Sequence, residues 1–276
     1  MCLIVMARLF LLNHPDSEPE YSKRKMGSVN ILPWNTRNVH WRKFIQRTGE
    51  YLHNGIPLSA DLCFWAEYEP YSKATIISKT TPKAIHTDLQ PVHVLPPRPQ
   101  HALNTDPYIY GCFRNICCRR TAKYKKGDIL IFGTFKTDTI FEFDTVIVVE
   151  KLITCYLLST DDQYRLASID PLQDPPSDFI DGVVYTPQVQ YYSFVPCLPN
   201  CTENAAAHNY HKPVLDTNAL FGRAAKQGWY GKVFAHVTLK DDKTKQYYWL
   251  QILKAVKSAG LKQGISVDKI DNEQLF

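Results

Sequence analysis

The segment 62–72, LCFWAEYEPYS, brings a thiol, a ring and two carboxylates into a short stretch of chain. If this segment is a strand, alternation places four of its residues on one face: Cys63, Trp65, Glu67 and Glu69. Two carboxylates so close repel each other, which raises the pKa of one and suits it for proton transfer or for holding a ligand. Two exposed edge glutamates, or one paired with Lys73, would also explain the pattern.

A second polar cluster follows in the segment 99–108, PQHALNTDPY. Here His101, Asn104 and Asp106 could act as general base, amide reader and acid, the groups needed to read a base edge or to activate water. Asn, Asp and Pro together are also typical of a turn held by side-chain hydrogen bonds. Convergence of Glu67, Glu69 and Asp106 in one concave, partly buried pocket would favour an enzyme over a binding protein.

Basic residues are concentrated although the chain is almost balanced, with a net charge of +5. Residues 21–49 contain seven Lys or Arg and no acid, interleaved with Trp34, Trp41 and Phe44. Residues 112–126 contain six more, again without an acid. Clustered cations neutralise phosphates, and neighbouring rings can stack on unpaired bases. The alternative is a solvated basic face whose rings anchor it to the core.

These segments predict a binding surface for nucleic acid or another ligand. Its predicted residues are Trp34, Asn35, His40, Trp41, Lys43, Arg47, Trp65, Ser72, Asn104, Tyr108, Arg119 and Arg120. P-loop, GxGxxG and nucleophile-elbow motifs are absent from the sequence, so NTPases, Rossmann dehydrogenases and ordinary serine hydrolases gain no support.

The cysteines and histidines raise the question of a metal. Cys197, Cys201, His208 and His211 are the four ligand types of a zinc site, but their spacings are atypical. We therefore predict that they do not converge, and we predict no metal and no cofactor. Eight cysteines in 276 residues do not form a dense disulfide framework, so most are expected to be reduced.

The pattern of elements predicts an α+β fold with a mostly antiparallel or mixed, barrel-like sheet and a few flanking helices. A hairpin is predicted over 128–149, where two β-branched, aromatic runs flank a polar turn at 136–138. Further strands are predicted at 2–11, 61–68, 74–79, 153–158, 190–195 and 232–239. Helices are predicted at 36–48, 216–227 and 243–259.

The whole chain, 1–276, is predicted to be a single mixed α/β domain, and the Pro-rich stretch at 170–181 could divide it into two subdomains. The apolar N-terminus lacks a basic leader region and a small-residue cleavage site, and Arg8 interrupts it, which favours a buried first strand over a signal peptide. With no stretch approaching the ~18 apolar residues of a membrane helix, we predict a cytoplasmic protein without membrane contact.

Several motifs resemble those of an uncharacterised bacterial protein family across most of residues 30–200. They are LPWN at 32–35, FWAEYEPYS at 64–72, NTDPYIYG at 104–111, GDILIFG at 127–133, FDTVIVV at 143–149 and YSFVPC at 192–197. Separately, KKGDILIF at 125–132 resembles the signature of PUA-like barrels, including the ASCH and EVE groups. That resemblance implies a small barrel that binds nucleic acid or a modified base, and it transfers no residue roles.

Two hypotheses of different classes follow. The first is a PUA-like binding protein that recognises nucleic acid or a modified nucleotide through its basic and aromatic segments. The second is an enzyme that modifies, hydrolyses or transfers a group on a nucleotide or base, using Glu67, Glu69, His101 and Asp106. A zinc-stabilised interaction protein is a third. The sequence does not distinguish a preference for DNA from one for RNA, and it identifies no protein partner.

Overall fold

The computed structural model of the chain describes residues 6–13, 41–68, 109–110, 124–153, 179–201, 210–222 and 233–267. In these residues the fold is α+β and mostly β. The strands are β1 (Ala7–Asn13), β2 (Trp41–His53), β3 (Ile56–Tyr68), β4 (Ile109–Tyr110), β5 (Ile129–Phe135), β6 (Ile140–Ile153), β7 (Phe179–Gly182), β8 (Val195–Pro199), β9 (Val214–Asp216), β10 (Val233–Leu239) and β11 (Lys262–Val267). The helices are α1 (Thr217–Phe221) and α2 (Asp242–Ser258).

The larger sheet has the strand order β10-β1-β5-β6-β7-β4, and β9 pairs with β6. Strands β1 and β5 are parallel, whereas the other pairs of this sheet are antiparallel. Alternate residues of its central strands enter two apolar clusters: Leu9, Ile131 and Val148 belong to one, and Phe10 and Leu130 to the other. Burial of both faces explains why these strands are almost continuously apolar.

The remaining strands close a four-stranded antiparallel barrel in the order β11-β2-β3-β8. Its long hairpin, β2–β3, turns at Asn54 and Gly55, whose φ values of 52° and 80° are both positive. Asn-Gly is the preferred pair for the two-residue turn that matches the twist of a hairpin. Phe64 and Val195 are among the fully buried residues of the barrel interior.

An aromatic cluster joins the barrel to the larger sheet and to α2. A bridge pairs Val146 of β6 with Phe194, directly before β8. The rings of Tyr192 and Phe194 pack edge-on against Trp249 of α2, with centroids 5.5 and 5.8 Å away. Such edge-to-face contacts add to the area that the rings bury, so this cluster fixes the helix over the junction of the two sheets.

The phenol of Tyr192 makes this junction sensitive to alkaline pH. Burial, followed by the repulsion of a charged Tyr185, raises the pKa of Tyr192 to about 12 from its ordinary value of 10.0. Below pH 10 the raised pKa contributes its full amount to the free energy of unfolding, and this contribution is lost as the pH rises from 10 towards 12. Two units correspond to about 2–3 kcal/mol. Urea unfolding at pH 9, 10 and 11 measures this loss.

Tyr192→Phe is the control for that titration, because it removes the ionising group and keeps the ring. The variant loses the hydrogen bond that the Tyr192 hydroxyl donates to Gln263 Oε1, so its stability at pH 9 is expected to be somewhat lower. Between pH 9 and 11 the free energy of unfolding of the variant is expected to fall by less than that of the wild type. Equal declines in the two proteins would show that Tyr192 does not govern the alkaline limit.

The structure confirms several predicted elements. The predicted hairpin at 128–149 is present as β5 and β6, and the predicted helix at 243–259 is α2. The strands predicted at 61–68 and 232–239 are β3 and β10, and the strand predicted at 2–11 is β1 in its described part. The strand at 74–79 and most of the one at 153–158 lie outside the described residues.

Three predicted elements are wrong in type or extent. Residues 41–48 belong to β2, not to a helix over 36–48, because they pair with β3 along their whole length. The predicted helix at 216–227 ends at Phe221, where Gly222 caps it with a φ of 65°. The strand predicted at 190–195 begins only at Val195 and continues as β8 to Pro199.

No helix in the described ranges is both long enough and apolar enough to cross a membrane.

Candidate functional site

The β2–β3 hairpin carries the described part of the first basic segment. We call residues 41–48 of β2 and 61–68 of β3 the β2–β3 arm. Strand β11 pairs with β2 only at residues 49–52, and β8 pairs with β3 only at residues 62–64. Among the described residues, the end of the arm, where 41–44 pair with 65–68, is therefore a two-stranded ribbon that continues beyond the barrel.

Three cations and no acid lie on residues 41–48 of the arm: Arg42, Lys43 and Arg47. The register sets Arg42 opposite Glu67 and Lys43 opposite Ala66. The other acid of the arm, Asp61, accepts hydrogen bonds from Thr48 Oγ1 at 2.9 Å and Gln46 Nε2 at 3.3 Å. The arm therefore holds three cations on β2 against two acids on β3, an excess of positive charge.

On the helix predicted over 36–48, His40, Lys43 and Arg47 would share one face, and the strand geometry changes that arrangement. Lys43 and Arg47 lie in β2, four residues apart, which corresponds to about 13 Å along a strand. This spacing is that of an extended strand and not of one turn of a helix. Arg47 is half-buried, and its guanidinium donates to the carbonyl of Gln46 at 3.4 Å.

Trp65 lies in a buried position and not on an open surface. It is 5% exposed and clusters with Cys63, two residues earlier on the same face of β3, as alternation predicted. The ammonium of Lys212 sits 4.3 Å from the centre of its ring. A cation therefore already occupies one face of the indole, in a geometry that attracts it to the ring.

Eleven of the predicted site residues lie outside the described residues. They are Trp34, Asn35, His40, Glu69, Ser72, His101, Asn104, Asp106, Tyr108, Arg119 and Arg120. Of the predicted acid/base group only Glu67 is described, by its backbone in β3, and Trp41 likewise begins β2. The convergence of the four predicted catalytic residues stays a prediction.

The second basic segment ends at the start of β5. Its Lys126 forms an exposed ion pair with Glu150. The backbone amide of Lys125 donates to Asp128, which is fully buried and also accepts from the amide and the guanidinium of Arg8 at 2.7 and 2.9 Å. The Gly-Asp pair of the PUA-like signature therefore ties β1 to β5, which is a structural role.

A second buried ion pair, which was not predicted from the sequence, joins Asp144 and Lys212. Asp144 is the extra residue where the β5–β6 register shifts, since Thr145 pairs with Phe132 and Phe143 with Gly133. Its carboxylate is fully buried and lies 3.4 Å from the Lys212 ammonium, whose side chain is 7% exposed. Bulges of this kind redirect a side chain and are frequent beside functional sites.

The backbone around this bulge depends on a glycine. A Cβ atom built on Gly133 would lie 2.0 Å from the carbonyl oxygen of Glu142, so no larger residue fits without moving β6.

Tyr210 lies near the Asp144–Lys212 ion pair, and its hydroxyl donates to the carbonyl of Pro196 at 2.8 Å. Burial raises the pKa of Tyr210 well above its ordinary value, and the negative charge of Asp144 raises it further.

The sequence signal for the Asp144–Lys212 ion pair is one acid inside a largely apolar segment, FDTVIVV at 143–149. A charge in such a strand must be paired, but its partner lies 68 positions later, in a loop.

Cys63 and Cys201 form a disulfide across 138 positions, with Cα atoms 6.4 Å apart. This pair was not predicted from the sequence, and it ties up Cys201, one of the four residues that we considered as zinc ligands and predicted not to converge. Cys197 is a free, buried thiol, and His208 lies outside the described residues. The described ranges contain no group of three His, Cys, Asp or Glu residues arranged to hold a metal ion.

Comparison of the chain with protein-family models, with curated proteins and with solved structures finds no match. The resemblances to the bacterial family and to PUA-like barrels therefore stay predictions.

Proposed function

We propose that the protein binds nucleic acid or a modified nucleotide through the β2–β3 arm. The observation that carries the proposal is the ribbon itself: Arg42 and Lys43 lie on its two-stranded end, and Arg47 follows on β2 with no acid between them. A two-stranded ribbon has the dimensions to enter the major groove of a duplex, and an extended strand can also follow a single-stranded backbone.

The charges across the ribbon support a phosphate-facing role. In the described part of the arm, β3 offers two acids, one opposite Arg42 and one hydrogen-bonded to Gln46 and Thr48. Neither lies opposite Lys43 in the register. The resulting surplus is local, because the chain as a whole carries only +5. Local cation surplus supplies most of the affinity for a phosphate backbone.

Lys43→Glu is expected to weaken binding of labelled oligonucleotides about tenfold at low salt and to reduce the salt dependence by about one phosphate contact. Fluorescence anisotropy with single- and double-stranded oligonucleotides measures both effects. Lys240→Glu is the matched control, because Lys240 is an exposed lysine that follows β10 in the larger sheet.

Equal affinities of the two variants would contradict the proposal, and so would a wild-type protein that binds neither oligonucleotide at low salt. Thermal unfolding of each variant shows that a loss of binding is not a loss of fold.

A further inference from the structure

A groove of about 350 Å³ lies between β9 and α1 on one side and α2 on the other. Buried Leu215 and Ala255 line it together with two partly exposed apolar side chains, Val214 and Tyr247. Known small-molecule sites begin at about 300 Å³ and combine apolar walls with a few polar groups. The groove thus has the size and lining for a small planar ligand.

Hydrogen bonds hold the two sides of the groove in place without a ligand. The hydroxyl of Tyr248 in α2 donates to the carbonyl of Leu220 in α1 at 3.1 Å. Thr217 Oγ1 in α1 donates to the carbonyl of Thr139 in the β5–β6 turn at 3.1 Å. A preformed site loses less conformational entropy on binding than one that must be assembled.

One face of α2 supplies three different chemical groups to the groove. Tyr247, Gln251 and Lys254 recur at helical spacing and all line it. The ring of Tyr247 is 50% exposed, and neither Gln251 nor Lys254 has a side-chain partner among the described residues. A half-exposed ring can stack on a base, an amide can read its edge, and an ammonium can bind a phosphate.

Helix α2 and the strand after it carry a surplus of positive charge. Residues 243–267 contain five lysines and no acid, and one of these lysines, Lys254, lines the groove. The one carboxylate lining the groove, Asp216, accepts hydrogen bonds from the backbone amides of Asn218 and Ala219 at the start of α1. Lys212 also lines the groove, but its ammonium pairs with Asp144, which leaves Lys254 for a ligand.

We infer that the groove binds a mononucleotide, with the base on Tyr247 and Gln251 and the phosphate on Lys254. This site is separate from the β2–β3 arm and does not depend on it. A ring, an amide and a cation on one helix face match the three parts of such a ligand, whereas an uncharged nucleoside would leave the ammonium without a partner.

Isothermal titration calorimetry of the full chain with the four ribonucleoside 5′-monophosphates tests the inference, with adenosine and inorganic phosphate as partial ligands. At least one monophosphate is expected to bind about tenfold more tightly than either partial ligand. Tyr247→Ala is expected to weaken that binding about tenfold, as loss of one base stack does. Lys254→Glu is expected to abolish it, whereas Lys257→Glu, an exposed charge on the same helix outside the groove, is expected to leave it unchanged.

Lys43→Glu separates this inference from the proposed function. It is expected to leave monophosphate binding unchanged while weakening oligonucleotide binding. Absence of monophosphate binding at millimolar concentration, or equal losses in Lys254→Glu and Lys257→Glu, would overturn the inference even if oligonucleotides still bound to the arm. Tighter binding of an aromatic carboxylate such as benzoate than of any monophosphate would also overturn it.

Discussion

Lys212→Met is expected to lower the free energy of unfolding by about 3–5 kcal/mol, because it leaves the Asp144 carboxylate buried without its ion-pair partner. Methionine keeps most of the side-chain volume, so the loss reports the charge and not a cavity. Urea unfolding followed by circular dichroism measures it. Lys254→Met is the matched control, since Lys254 is exposed, and a change within about 0.5 kcal/mol is expected there.

The double variant Asp144→Asn with Lys212→Met distinguishes the ion pair from general damage to the core. Removing both charges is expected to cost less than removing Lys212 alone, since no unpaired charge stays buried. The explanation would be contradicted if the double variant lost as much stability as Lys212→Met and Asp144→Asn lose separately when their losses are added. A Lys212→Met variant that is as stable as the wild type would contradict it as well.

Replacing Cys63 and Cys201 together by alanine is expected to destabilise the fold by about 4–5 kcal/mol, because the disulfide closes a loop of 138 positions in the unfolded chain. Reduction of the wild type is expected to lower its melting temperature, whereas the same reductant leaves that of the double variant unchanged. Differential scanning calorimetry with and without dithiothreitol provides the comparison.

Peptide mapping of the unreduced protein supplies the independent check, through a linked pair of peptides that contain residues 63 and 201. A wild type that melts at the same temperature with and without reductant would contradict a stabilising role for the disulfide. A map without the linked pair would contradict its formation.

The elements predicted correctly are those whose sequence pattern lies within the element itself. The β5–β6 hairpin has two β-rich runs around a polar turn, and α2 begins at Asp241, whose carboxylate accepts from the amide of Thr244. The error at 36–48 came from Trp41, Phe44 and Ile45, whose spacing fits a helix but which belong to β2. The Asn-Gly turn after β2 was the local signal that could have corrected it.

The buried ion pair and the disulfide each join residues that are far apart in the sequence, so the sequence does not predict these contacts. Asp144 meets Lys212, and Cys63 meets Cys201, only because β3, β6 and the segment after β8 come together at the junction of the barrel and the sheet. Apolar periodicity predicts which face of a strand is buried but not which loop covers it. The acid-free run at 243–267, in contrast, could have been found from composition alone.

The salt dependence of oligonucleotide binding tests the central claim most directly, because phosphate contacts release counterions. For the wild type, the logarithm of the association constant is expected to fall linearly with the logarithm of the salt concentration, by about 0.7–0.9 for each phosphate contacted. A phosphate contact from Lys43 would contribute about −0.7 to −0.9 to this slope, so Lys43→Glu is expected to make the slope shallower by nearly one. A slope near zero, or one that Lys43→Glu leaves unchanged, would contradict binding of a phosphate backbone by the β2–β3 arm.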